Sequence, residues 1–458
     1  MRKIKEISAD TLTPISVYLR LSGQNKVILE SIPRENDQSR FSILAVNPVK
    51  TVKFADGILS VDDQVIATDE PLKVLEDLVV EAGENADETE LDLPFVSGAI
   101  GYAGFDTYGI VEKIQPELVD SIGTPDIYFM LYENAVIFDH KREKLILIED
   151  NVYSKRSEEE LLTALSEKIA TLSVLTEAEK SVPPLEKLTF KSNMSQIDFE
   201  EKVARAQELI KNGDMFQIVL SQRLTADFNQ DPFAYYRQLR VENPSSYMYF
   251  LEFDDFHVIG SSPERLVAVH GNQVSTNPIA GTRKRGANEF EDQALIEELE
   301  NDQKELAEHK MLVDLGRNDL GKISKYGSIE VPVFMKVEKY RYVMHITSEV
   351  TGELRPEFSA MDALVATLPA GTLSGAPKHR AYQRIYEFEN EKRGIYGGAI
   401  GYLTKNGNCD FAIAIRTMVL KNQKAHVQAG AGIVFDSVPE QEYQETLNKA
   451  RGLLEIGK

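Results

Sequence analysis

The sequence predicts an α+β fold built on large, mostly antiparallel β-sheets packed with helices, and three observations predict it. Short β-type runs follow one another in hairpin-like succession, among them KLILIED (144–150), YMYFLEF, HVIGSS, FAIAIRTMVL and HVQAGAGIVF. The later half mixes these strands with long helices, an α+β pattern. Hydrophobic content of 42% and charged content of 27% over 458 residues allow an ample core, with material for roughly two to three domains.

Residues 1–172 alternate short β-type runs with loops, including the acidic stretch EAGENADETELD (81–92), and end in an amphipathic helix near 157–172. The stretch 173–188 carries a Pro-Pro pair and little periodicity, so it reads as a linker to a second region, 189–458. There FEEKVARAQELIKNGD (199–214) has helical spacing and closes with Gly213, and FQIVLSQRLTADF (216–228) has strand character. A helix starts at Asn301 or Asp302 as its cap and is expected to end at Gly316. Another follows Ser437 and Glu440, spaced as a capping box with a proline in the first turn. The string GAIGY occurs at 98–102 and again at 398–402, either as an internal repeat or by chance in glycine-rich strands.

A net charge of −22 argues against nucleic acid or an anionic membrane as partner, since phosphate binding needs clustered Lys and Arg. The single cysteine, Cys409, leaves no intramolecular disulfide and suits a reducing compartment. MRKIKEISAD is not followed by an apolar stretch, and no run approaches the roughly 20 apolar residues of a membrane span, so the expected location is cytoplasmic. GTLSGAPK (371–378) fails the phosphate-loop spacing, and AGAGIVF (429–435) has Phe435 where a dinucleotide fingerprint needs its third glycine.

Chemistry concentrates in two carboxylate pairs. Glu305 and Glu308 lie three apart on one predicted helix, and Glu442 and Glu445 repeat that spacing on another. Hard cations such as Mg²⁺ take oxygen ligands and often only one or two protein carboxylates, so two such helices can hold one ion between them. The same spacing also suits a solvated acidic face. Thr282 and Arg283, the glycines Gly430 and Gly432, and Arg416 are groups suited to an anionic ligand. An arginine in a buried strand must find an anion, either a ligand or a structural carboxylate. His345, in YRYVMHITSEV, lies on an apparently buried strand.

Residues 190–455 resemble the chorismate-utilising enzymes throughout, and within them the anthranilate synthase component I family. The carrying motifs are GDMFQIVLSQR (213–223), SSPERL (261–266), PIAGTRKRG (278–286), ELAEHKMLVDLGRNDLG (305–321), YVMHITSEVTG (342–352), TLPAGTLSGAPK (367–378), YGGAIGY (396–402), FAIAIRT (411–417) and QAGAGIVFDSVPEQEYQET (428–446). The resemblance implies that Glu308 and Glu445 are Mg²⁺ ligands. It implies that Gly281, Thr282, Tyr396, Arg416, Gly430, Ala431 and Gly432 contact chorismate. Glu305, His345 and Thr372 match polar positions lining the same pocket, with His345 the candidate proton-transfer group and Glu305 a candidate to orient or deprotonate the incoming nitrogen.

Conversion of chorismate and ammonia to anthranilate and pyruvate is the implied reaction, with tryptophan as feedback inhibitor. Relatives that use water have a lysine where this chain has Gln217, and aminodeoxychorismate synthases read PIKGT where this chain has Ala280. The alternatives are an aminodeoxychorismate synthase component and a non-catalytic chorismate- or tryptophan-binding subunit. The segments 27–42 and 243–250 resemble the family's tryptophan-binding segments, which implies a site lined by Ser31, Ser246, Tyr247 and Met248; the family often has proline where Ser246 stands. Cys409 lacks the context of a glutaminase nucleophile. Ammonia is therefore expected from solution or from a separate glutamine amidotransferase subunit in a hetero-oligomer.

Overall fold

The computed structural model describes residues 1–31, 40–80, 93–114, 118–176, 181–340 and 343–457. Two twelve-stranded sheets dominate it, and every strand pair within them is antiparallel among the described residues. One sheet runs in the order Arg2–Ser8, Lys144–Asp150, Asn134–Asp139, Phe41–Ala45, Val27–Glu30, Tyr247–Glu252, Phe256–Ser262, Thr417–Lys421, Lys424–Ile433, Gln217–Asp227, Lys191–Ser192. The other runs from Ile279–Lys284 through Val343–Glu353, Gln273–Thr276, Arg265–His270, Cys409–Ile413 and Ala399–Thr404. It continues to Gly98–Ala103, Ile127–Tyr132, Lys50–Ala55, Ile58–Val61 and Gln64–Ile66. Both sheets take strands from either side of 173–188, so that boundary divides the sequence without dividing the hydrogen-bonded sheets.

The layers run helix, sheet, sheet, helix. Val27, Ile43 and Tyr249 of the first sheet pack with Ile100, Tyr102 and Tyr128 of the second in the middle core. Ile28, Leu44 and Val427 face the helices Glu158–Leu172, Pro232–Glu242 and Pro439–Leu454 outside the first sheet. Ala99, Ala103 and Phe411 face Pro71–Val80, Gln303–Gly321 and Ala360–Thr367 outside the second. Central strands are thus apolar on both faces, as in the wholly buried Ile127–Tyr132. The two GAIGY strings are neighbours, with Gly101 opposite Gly401. A Cβ on Gly101 would lie 2.0 Å from the Tyr128 carbonyl oxygen, so no other residue fits at this spacing.

Three local expectations are corrected. The helix capped by Asp302 runs on to Gly321, and Gly316 lies inside it. Gly316 is small for packing: a Cβ there would sit 3.2 Å from Thr276 Cγ2 of the adjoining sheet. Ser437 does not cap the last helix, because its hydroxyl accepts from the Val434 amide and Val438 is the cap residue of Pro439–Leu454. FAIAIRTMVL is two strands, Cys409–Ile413 and Thr417–Lys421, in different sheets, with Arg416 at a left-handed φ of 48° between them. The loop expected at 81–92 lies outside the described residues. No helix among the described residues is long and apolar enough to cross a membrane.

Candidate active site

Helix Gln303–Gly321 starts where the Asp302 carboxylate accepts from the Lys304 and Glu305 amides. Its buried residues Leu312, Val313 and Leu320 anchor it to the second sheet, which leaves Glu305 and Glu308 half-buried on another face. Glu308 Oε1 accepts from Gln217 Nε2 at 3.1 Å. Gln217 opens the strand whose ladder sets Val219, Leu220 and Ser221 opposite Gly432, Ala431 and Gly430. A Cβ on Gly432 would meet Gln217 Nε2 at 2.6 Å and come within 3.9 Å of Glu308 Oε1. One on Gly430 would come within 3.0 Å of the Tyr396 hydroxyl, to which the Gly430 amide donates. Glu308, Tyr396 and Gly430–Gly432 therefore share one wall.

The facing wall comes from a bulged strand pair. Ile279–Lys284 slips register between Ala280 and Thr282 against Val343–Glu353, which sets Thr282 opposite His345 and gives Gly281 a φ of 64°. His345 Nδ1 lies 3.0 Å from Thr282 Oγ1 and 3.1 Å from the Gly281 carbonyl. A carbonyl only accepts, so that bond requires the proton on Nδ1. A Cβ on Gly281 would lie 3.3 Å from Glu305 Oε2, so this bulge abuts the carboxylate helix. Arg283 is already engaged with Glu298, Asp302 and Glu305, which leaves it unsuited to the ligand role its position suggested.

Arg416 sits where the chain crosses from one sheet to the other. Burial lowers its guanidinium pKa, opposed by Tyr340 and by Glu264. Among the described residues no carboxylate lies within ion-pairing distance of it, so the structural-salt-bridge alternative is not realised there. Glu264 is the functional candidate that sequence reasoning passed over, although it stands in SSPERL. It is buried, and Thr372 Oγ1 donates to its two carboxylate oxygens at 3.3 and 3.4 Å. Burial pushes its pKa up to about 8, against the pull of Thr372, the Ile279 amide, Lys449 and Arg416. Hydrophobic periodicity could not have found it. A charged residue inside an otherwise buried turn between strands was the available signal.

The carboxylates suit a hard cation. Burial and then the neighbouring charge of Glu308 raise the Glu305 pKa, and the buried Oε1 of Gln217 has no partner among the described residues. Glu445 pairs with Lys449 at 2.6 Å, and Lys449 Nζ donates to the Gly430 carbonyl at 3.1 Å. Glu442 is buried, its pKa raised by burial and by Glu445 and lowered by Ser437 and by Lys304 of the other carboxylate helix. No three carboxylate or imidazole groups converge among the described residues. A hard cation can take as few as one or two protein carboxylates, which the pairs Glu305–Glu308 and Glu442–Glu445 could offer.

Ser31, Ser246, Tyr247 and Met248 line a different cavity, of about 630 Å³. Along one stretch of its wall the polar groups bond to one another. Tyr247 donates to Asp410 at 3.0 Å, and Arg265 donates to the Tyr247 hydroxyl at 2.8 Å and to Asn277 at 3.1 Å.

The fold of two large antiparallel sheets packed with helices has counterparts among known proteins. The profile of the chorismate binding enzyme family matches residues 25–455, and the chain belongs to that family. Within the family it groups with anthranilate synthase component I, a lyase. It is 81% identical to anthranilate synthase component 1 of Lactococcus lactis subsp. lactis (strain IL1403) over 100% of both chains. Identity to the Acetivibrio thermocellus anthranilate synthase component 1 is 43%, covering 98% of this chain and 93% of that one. The crystal structure of anthranilate synthase component I from Streptococcus pneumoniae TIGR4 superposes with a TM-score of 0.86 at 50% identity, covering 98% and 99% of the two chains.

Proposed function

We propose that the cleft converts chorismate and ammonia to anthranilate and pyruvate, the first committed step of tryptophan biosynthesis, with Mg²⁺ as cofactor. The observation that carries this reading is Arg416, a half-buried guanidinium with no carboxylate partner among the described residues, near a carboxyl group whose pKa is about 8. Chorismate supplies what those groups lack: two carboxylates, one of them for Arg416 beside the glycine wall at Gly430–Gly432, and a ring hydroxyl for an acid. Glu308 and Glu445 would hold Mg²⁺, which supplies charge to anchor and polarise the ring carboxylate.

Glu305 faces the incoming nitrogen and removes its extra proton. As the carbon–nitrogen bond forms, the ring double bond shifts and the ring hydroxyl departs. Glu264, neutral at pH 7, donates the proton that lets it leave as water. His345 takes the proton from the aminated carbon, and the enolpyruvyl ether bond breaks with protonation of its methylene, giving pyruvate and the aromatic ring. Thr282, bonded to His345, steers the imidazole.

Tryptophan is the proposed occupant of the 630 Å³ cavity, where Ser31, Ser246, Tyr247 and Met248 meet. A separate glutamine amidotransferase subunit is the proposed ammonia source, supported by the relatives' designation as a first component. The test is the purified chain with chorismate, Mg²⁺ and ammonium at alkaline pH, followed by anthranilate fluorescence and pyruvate release. Fluorescence with stoichiometric pyruvate is expected. An aminated product without pyruvate would replace the reading with an aminodeoxychorismate synthase component, and no turnover would leave a binding subunit.

A further inference from the structure

We propose that Arg393, locked by Glu389, is a positioning residue for the reaction: it fixes the turn that carries Thr372, and thereby the orientation of the Glu264 carboxyl. The proposal rests on the reading of Glu264 as the acid. Arg393 is among the largest fully buried side chains of the chain and belongs to none of the groups assigned above. Its Nε and Nη2 donate to the Glu389 carboxylate at 2.7 Å each. The remaining donors are spent on backbone: Nη1 on the Leu373 carbonyl and Nη2 on the Val219 carbonyl, both at 2.7 Å. Glu389 in turn accepts from the Ser221 amide and hydroxyl at 2.7 and 2.9 Å.

The two backbone contacts are unequal. Val219 and Ser221 belong to a strand paired with Lys424–Ile433 over ten residues, a rigid reference that does not need Arg393. Leu373 closes the three-residue turn Gly371–Leu373; beyond it Ser374 bonds at its amide to the Gly371 carbonyl and at its hydroxyl to the Ala370 carbonyl, and its own carbonyl accepts from the Val219 amide at 2.9 Å. Thr372, the middle residue of that turn, bonds to Glu264. The guanidinium therefore adds a side-chain tie from the residue next to Thr372 to a strand that the turn otherwise meets only through Ser374 and the residues after it. Stacking against Phe105 at 4.4 Å fixes its plane. A buried ion pair is weak evidence of stabilisation, because desolvation offsets much of the attraction, so an organising role is the better reason for this one. Only a planar fork reaches a carboxylate and two carbonyls at once; a lysine in its place is a single point donor.

The experiment is a double-mutant cycle on the full chain, using Arg393→Lys and Thr372→Val, with Glu389→Gln as a second and gentler way to release the fork. Each variant is first checked for cooperative thermal unfolding. Arg393→Lys is expected to lower kcat by about tenfold or more while chorismate KM stays within about threefold, since the carboxylate holders are untouched. In the Thr372→Val background the same change should lower kcat by no more than about twofold, because both act through one contact. Glu389→Gln should follow the same pattern with a smaller effect, and it decides the matter if Arg393→Lys does not fold. Equal fold-changes in both backgrounds, an effect confined to KM, or an unchanged kcat would overturn the proposal. A fully active Glu264→Gln enzyme would instead overturn the acid assignment on which it rests.

Discussion

Glu264 and Arg265 are neighbours in sequence and stand beside two regions that hold their polar groups differently. In the candidate site, among the described residues, Arg416 has no carboxylate within ion-pairing distance, burial raises the Glu264 carboxyl pKa to about 8, and burial and Glu308 raise that of Glu305, whose one cationic contact is Arg283 at 3.4 Å. Along one stretch of the second cavity's wall Arg265, Tyr247, Asp410 and Asn277 bond to one another. Buried groups with few partners gain most from a ligand that completes them, as the proposed binding of a dianion requires. A stretch of wall whose polar groups bond to one another offers a ligand shape and contact instead, which suits a site for an amino acid that is bound and released unchanged.

That contrast can be broken most severely at the metal wall. Glu308→Gln should abolish turnover, by more than the about 10–100-fold that loss of an outer-shell partner of a metal costs, with unfolding unaltered. Near-normal turnover at limiting Mg²⁺ would reduce the acidic stripe to a solvated face. Next in size, Arg416→Ala should weaken chorismate binding by about 1.5–3 kcal/mol, or about 10- to 150-fold, the range of a charge-assisted hydrogen bond. If KM is unchanged and only the melting temperature falls, Arg416 serves structure and the contrast disappears.

Stability against pH sharpens the contrast further. Glu264 is raised from 4.5 to about 8 by burial, so the folded chain holds its proton over a range in which the unfolded chain has released it. Its contribution to stability is therefore complete below pH 4.5 and is lost as pH rises through about 8. Denaturant titrations of the wild type and Glu264→Gln, which cannot ionise there, should diverge across that window, the wild type losing stability relative to the variant. Parallel curves would mean an ordinary exposed carboxylate.

The smallest effect on basal activity is expected in the second cavity. Ser31→Phe should relieve tryptophan inhibition while turnover without tryptophan stays within about twofold, and linkage requires chorismate and tryptophan to weaken each other's binding equally. Calorimetry that detects no tryptophan binding to the wild type would empty the cavity of that role.

Much of the fold was legible because strands and helices here keep their own periods. The strand 217–227 and the helices 158–172 and 303–321 stand close to where β-type runs and apolar spacing put them. The misreadings share one cause, that tertiary contact decides what a small or polar residue does. Gly316 looks like a helix end and instead admits a neighbouring sheet, and Ser437 spends its hydroxyl on Val434. Arg416 looked like one more strand residue, whereas the strand breaks there to carry the chain between sheets. At the site, residues matched by motif were brought together from segments more than 200 positions apart, such as Gln217 beside Gly432. Glu264 and Arg393 escaped notice because what distinguishes them is burial and bonding to distant backbone, which no local spacing encodes.

Binding of chorismate in the absence of ammonia tests the central claim most directly, because without a nucleophile the bound substrate persists. Titration calorimetry should find that Mg²⁺ tightens chorismate binding to the wild type by about tenfold or more, as expected when substrate completes the shell of an ion with few protein ligands. It should also find that Glu308→Gln loses that enhancement while retaining binding through Arg416. Equal enhancement in the wild type and Glu308→Gln would contradict the account.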